Sequence, residues 1–252
     1  MNLQHPSSIG MTWLIFRREL GSYFATPLAW VFIVAFLVLS GVLTFYFGGF
    51  IEGGRADLMS FFRFHPMLYV VFIPAVSMRL WAEERKSGSL ELLLTLPVTL
   101  WQAVAAKFLA AWIFCGLALA LSFPLWLTVN WLGNPDNGAI LTGYLGSWLM
   151  AGGFLAIGIC ISATTKNQVV AFVIGGGVCF LFLMTGLGPV VDVVSSFAPS
   201  IVVDSLSSLS VMTHYQAMSK GVIHLRDVIY FTALIGAWLY ACALVVEIKK
   251  AD

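Results

Sequence analysis

The chain has 252 residues, 60% hydrophobic and only 10% charged, with a formal net charge of +1. Soluble domains carry about 25% charged residues, so a mean hydropathy of +0.94 excludes a soluble protein and predicts an all-α polytopic membrane protein. The near-neutral charge and the lack of a long basic run exclude a nucleic-acid partner.

Residues 12–26 read as an interfacial elbow helix. Trp13, Phe16, Leu20, Tyr23 and Phe24 recur at helical spacing, while Arg17, Arg18, Glu19 and Ser22 share the other side. Pro27 then turns the chain into the membrane. A plain positive-inside anchor is the alternative reading. The apolar run that follows is about twice as long as a signal-peptide core and lacks a small-residue cleavage site, so it reads as a retained span.

About 20 apolar residues in a helix cross a bilayer core. That rule predicts six spans, at 28–51, 64–81, 104–132, 138–163, 167–190 and 228–247. Pro66 and Pro74 are expected to kink the second. At its end Arg79 can snorkel and Trp81 suits an interface. His65, beside Pro66, reads as an interfacial residue.

The loop 82–103 is a charged island in an apolar chain. Glu83, Glu84, Arg85, Lys86 and Glu91 place five charges in nine positions, where the whole protein carries 25. Leu92, Leu93, Leu94 and Leu96 follow, and Pro97 stops the run. A short amphipathic helix fits, with Ser87 or Ser89 as its cap and Glu91 in its first turn. Thr99 and Gln102 then form a capping box that opens the third span, with Lys107 at the membrane boundary.

Spans four and five are dense in small residues: Gly143, Gly146, Ser147, Gly152, Gly153 and Gly158, then Gly175 to Gly177. Such residues permit close helix approach and equally loosen helices for motion. The external loop 191–227 is long enough for an interfacial helix, with Val202, Leu206, Leu209 and Met212 on one face. It reads either as a cap over the bundle or as a gate or partner-binding segment.

Lys and Arg set the orientation. With the N-terminus inside, the inner set is Arg17, Arg18, Arg79, Arg85, Lys86, Lys107, Lys166, Lys249 and Lys250, and the outer set is Arg55, Arg63, Lys220 and Arg226. This bias places both termini and the island in the cytoplasm.

Chemistry-bearing motifs are missing. There is no P-loop, no nucleophile elbow and no zinc-protease motif. The histidines never cluster. Cys115, Cys160, Cys179 and Cys242 sit singly in apolar runs as packing residues, without a disulfide or metal framework. Between their ends the spans carry no Asp, Glu, Lys or Arg, which disfavours an ion-coupled secondary carrier. Energy for any transport is therefore expected from outside the bilayer, through the island.

Three stretches carry a resemblance. Phe16-Arg-Arg-Glu-Leu-Gly-Ser-Tyr-Phe-Ala-Thr-Pro-Leu-Ala-Trp30 resembles the elbow of ABC-2 type transporter permeases. Glu84-Arg-Lys-Ser-Gly-Ser-Leu-Glu-Leu-Leu-Leu-Thr-Leu-Pro97 is similar to their loop between spans two and three. His214-Tyr-Gln-Ala-Met-Ser-Lys-Gly-Val-Ile-His-Leu-Arg-Asp-Val-Ile-Tyr230 resembles the branch of gliding-motility and nitrous-oxide-reductase maturation permeases.

The resemblance implies a non-catalytic permease subunit of the bacterial inner membrane. It implies two cytoplasmic P-loop ATPase subunits per complex, a second permease subunit (this chain or a related one), and room for a periplasmic or membrane accessory protein. No cofactor is expected on this chain; ATP and magnesium belong to the ATPase. By the same resemblance the island forms a coupling helix. Glu83, Glu84, Arg85 and Glu91 are its polar contacts, Gly88 is part of the motif, and Leu90, Leu92 and Leu93 are apolar anchors. Arg17, Arg18 and Glu19 on the elbow add contacts, with Leu20 on its apolar stripe. Ser89 stands where the family pattern has Thr, and either residue can cap a helix. In the external loop, His214, Lys220 and Asp227 are the residues singled out. The expected function is to couple ATP hydrolysis in the partner to export or mechanical work. The rivals are a non-transporting subunit for assembly or maturation of another complex, and a secondary carrier.

Overall fold

The computed structural model describes residues 8–50, 54, 56–88, 99–196, 199 and 208–249, and among them every regular element is a helix. The first is α1 (Ser8–Ala25). Thr26 is extended, and Pro27, with its φ preset for a helix N-terminus, opens α2 (Pro27–Val42). A π-helical turn, Leu43–Phe47, extends α2, and the Gly48 N–H closes it on the Leu43 carbonyl at 2.7 Å.

The second span begins at Met59, ahead of the expected residue 64, and its helix continues through the first half of the island. It comprises α3 (Met59–Ser77) and α4 (Arg79–Ser87), separated only by Met78. Residues 82–87 are therefore an extension of the span and not loop. Ser87 caps nothing at an N-terminus, because it is the last residue of α4. Gly88 follows at φ 72°, the left-handed stop that glycine takes without steric cost. Ser89, Leu90, Glu91, Leu92 and Leu93 lie outside the described residues. His65 is fully buried, ringed by Phe36, Phe61, Phe62 and Tyr69. The interfacial reading of His65 is thus corrected: it faces inward, onto the aromatic core.

The capping box is formed. Thr99 accepts from the Gln102 N–H at 3.4 Å and donates its own N–H to Gln102 Oε1 at 3.0 Å. It opens α5 (Leu100–Ala120), which breaks at Leu121–Ser122, where Pro124 lacks a donor, and resumes as α6 (Phe123–Leu132). Asp136 caps α7 (Asn137–Thr164), and Asn167 caps α8 (Gln168–Met184). The fifth span is not one straight helix to residue 190. Beyond Met184 the chain bends by 70° into α9 (Gly188–Ser195), with Pro189 in its first turn. Among the described residues, five helical stretches are long and apolar enough to span a membrane, and six if this bent pair counts as one.

In the segment expected to be external, Val202 and Leu206 lie outside the described residues. Leu209 precedes Ser210, whose side chain caps α10 (Val211–Ser219). Leu209 and Met212 therefore do not share a helical face as expected. The last helix is α11 (Leu225–Ile248).

Helix α7 is the hub, packed against α3, α4, α5, α8, α10 and α11, while α1 lies along α5. Glycines make this possible. A Cβ on Gly143 would stand 2.5 Å from the Phe62 ring, and one on Gly158 would collide with Ser77 Oγ. Here the small residues serve close approach between helices. Trp112 and Trp148 fasten α5 to α7 reciprocally: each indole N–H donates to the other's carbonyl, at 2.8 and 3.2 Å, over rings stacked 4.3 Å apart.

Candidate coupling site

Helix α1 buries Ile15, Glu19 and Tyr23, three residues spaced four apart along one face. Glu19 was expected on the polar outer side, yet it faces the bundle, and Trp13 and Phe24 face outward. Arg17 is exposed and Leu20 is half-buried. The inversion has a charge as its cause. Lys107 on α5 is 1% exposed, and its ammonium lies 3.1 Å from Glu19 Oε1 and 2.7 Å from Glu84 Oε1 on α4. An ammonium this deep must be paired and hydrogen-bonded. Arg18 closes the cluster, 2.9 Å from Glu19 Oε1 and 3.6 Å from Glu84 Oε1. Two cations therefore balance two carboxylates drawn from three helices. Burial pushes the Glu19 carboxyl up. The Lys107 charge and the hydrogen bonds from Arg18 and Lys107 together outweigh burial and hold Glu19 below its usual value of 4.5.

The same arm is tied to α7. Ser162 Oγ donates to the Met78 carbonyl at 2.8 Å and accepts from the N–H groups of Trp81 and Ala82 at 3.2 and 3.1 Å. It is thus inserted into the backbone ladder where α3 meets α4. Arg85 Nη1 donates to the Ala163 carbonyl at 2.9 Å, which satisfies an end carbonyl of α7 and complements its dipole.

Of the predicted coupling residues, Glu84 and Arg85 thus engage groups inside the subunit. Glu83 and Gly88 are exposed, as is Lys86 between them. Ser162 carries no distinguishing mark in the sequence, and Lys107 reads there as a boundary charge. One signal was present: Lys107 is the single cation between Lys86 and Lys166.

At the opposite end, His214 Nδ1 lies 2.6 Å from Asp227 Oδ1, and His214 Nε2 lies 3.1 Å from the Ser208 carbonyl. The His214 ring stacks on Tyr230 at 4.1 Å. Nearby, the Tyr215 hydroxyl donates to the Phe62 carbonyl at 2.8 Å. His214 and Asp227 are brought together, while Lys220 is exposed at the end of α10. No group of metal-binding side chains occurs among the described residues.

The family model for "ABC-2 family transporter protein" matches residues 49–248, from the end of the first span to the end of α11. The chain belongs to the ABC-2 transporter family. An ABC-2 protein is the membrane-permease component of an ATP-binding-cassette transporter, and its family partners are ABC ATPase subunits. The tethered arm α4 and the paired His214 and Asp227 lie inside the matched region, and α1 lies before it. No curated protein matches the ABC-2 chain.

Proposed function

We propose that this ABC-2 subunit couples ATP hydrolysis in two cytoplasmic ATPase subunits to export or mechanical work across the bacterial inner membrane, with α4 and the segment after it as the coupling arm. The observation that carries this reading is the attachment of α4 to α1, α5 and α7 at once, through Glu84, Arg85 and Ser162. An arm so fixed cannot be displaced alone; a push on it is passed to the hub helix.

Glu83 and Lys86 face outward, free to meet a partner; in this reading Glu91 and the anchors Leu90, Leu92 and Leu93, which lie outside the described residues, complete the contact. Glu84, Arg85, Arg18 and Glu19 hold the arm from within. ATP and magnesium act in the ATPase, and this chain binds no cofactor. A second permease, the same chain or a related one, completes the complex.

The orientation rests on the gathering of Arg18, Arg85 and Lys107 at one end of the bundle. In this reading that end is the cytoplasmic one by the positive-inside rule, which puts both termini on the cytoplasmic side. The stretch from His214 to Tyr230 favours the gliding-motility and maturation branch. At the external end, the buried pair of His214 and Asp227 braces a cap.

The test is purification from native membranes with the neighbouring genes intact, followed by an ATPase assay. A P-loop polypeptide should copurify and hydrolyse ATP, and Lys86→Glu combined with Leu92→Asp should release it while the permease stays inserted. A chain that purifies alone and hydrolyses nothing would favour an assembly subunit or a carrier.

A further inference from the structure

Between α1 and α4 lies a cavity of about 320 Å³ whose walls include Tyr23, Thr26, Arg79 and Glu83, with the Glu19, Glu84 and Lys107 cluster at its side. Ligand sites commonly begin near this size. Lys107 is already neutralised by Glu19 and Glu84. Arg79 is not: its guanidinium rests 4.9 Å from the centre of the Tyr23 ring and has no ion pair or hydrogen bond among the described residues. Glu83 is four residues further along α4, on the same helical face, and no ion pair joins it to Arg79. Among the described residues the cavity therefore displays one fork of donors and, separately, one carboxylate without an ion-pair partner.

We infer that this cavity binds the headgroup of a zwitterionic aminophospholipid of the phosphatidylethanolamine class, with Arg79 on the phosphate and Glu83 on the ammonium. The charge of the wall selects the zwitterion. Arg18 and Lys107 already balance Glu19 and Glu84, so the charges left to a ligand are Arg79 and Glu83, one of each sign, and a purely anionic headgroup would leave Glu83 unmatched beside it. A guanidinium fork matches two phosphate oxygens, and a primary ammonium can donate to Glu83, which a quaternary choline cannot.

Position points to a membrane lipid rather than a free ester. Arg79 is the first residue of α4, where the apolar α3 gives way to charged sequence. Phe24 and Leu28 are exposed on either side of the cavity residue Thr26, which leaves apolar surface for acyl chains beside the headgroup. The inference needs only the membrane-spanning character of the chain and does not depend on the coupling role of α4.

Native mass spectrometry of the detergent-purified full chain, titrated with phosphatidylethanolamine, phosphatidylglycerol or phosphatidylcholine, tests it. The wild type should retain phosphatidylethanolamine preferentially. Arg79→Gln should weaken that retention roughly tenfold, the scale of one lost charge-assisted contact. Glu83→Gln, at an exposed site, should keep binding but lose the preference over phosphatidylcholine. Melting of each variant without added lipid reports folding. Equal retention of the three lipids by the wild type would overturn the inference, as would unchanged retention and preference in both variants. Soluble O-phosphoethanolamine competing as well as the lipid, where inorganic phosphate does not, would also overturn it, by making the ligand a soluble ester.

Discussion

Lys107 Nζ lies 2.7 Å from Glu84 Oε1, across 23 residues of sequence. This contact joins the start of the third span to the extension of the second, and Glu19 brings in α1. Because Lys107 is 1% exposed, its charge is tolerated only while both carboxylates hold it. The cluster fixes where α4 points.

Removing Lys107 should therefore cost more than a surface charge would. Lys107→Met leaves Glu19 and Glu84 facing each other with only Arg18 between them, and a loss of about 3 kcal/mol is expected. Adding Glu84→Gln should recover part of it. Detergent-solubilised thermal unfolding of the single and double variants checks this, and strict additivity would mean that the two residues do not interact.

The lowered Glu19 carboxyl gives a pH dependence of definite sign. A carboxylate with a folded pKa below its unfolded value contributes stability that is fully present above about 4.5 and is lost as pH falls through the lowered native value. The wild-type melting temperature should thus fall more steeply on acidification below that value than that of Glu19→Gln. Parallel curves would show that Glu19 is not held in its charged form.

Ser162 should matter to the arm although it carries no charge. In Ser162→Ala, the Met78 carbonyl and the N–H groups of Trp81 and Ala82 lose a buried partner, at a cost of about 1–3 kcal/mol. Hydrogen exchange should quicken in α4 and not in α11. A neutral substitution would mean that the helical ladder closes across Met78 by itself.

Cysteines at Ser87 and Ser208, both exposed, should label from opposite sides of the membrane. The native cysteines are all buried, so background labelling should be low. Labelling from the same side would break the proposed topology.

Gly158→Ala should be tolerated poorly because its Cβ would meet Ser77. Overpacking of this kind costs about 1–3 kcal/mol, and Ser77→Gly should relieve it. Unfolding midpoints of the single and double variants would reveal the compensation.

The sequence by itself determined the helical membrane class, the approximate spans and the capping box at Thr99. Hydropathy and local hydrogen bonding act over a few residues and leave their mark in order along the chain. It could also mark Glu84, Arg85 and Lys107 as notable charges. Their partners it could not supply. Periodicity placed Glu19 on the outer face of α1, since a carboxylate is costly to bury unless paired; only the packing of α1 on α5 brought Lys107 within reach and reversed that preference. His65 and Ser162 looked unremarkable for the same reason. A buried polar group is decided by what stands opposite it, and contacts between distant helices exist only once the bundle has formed.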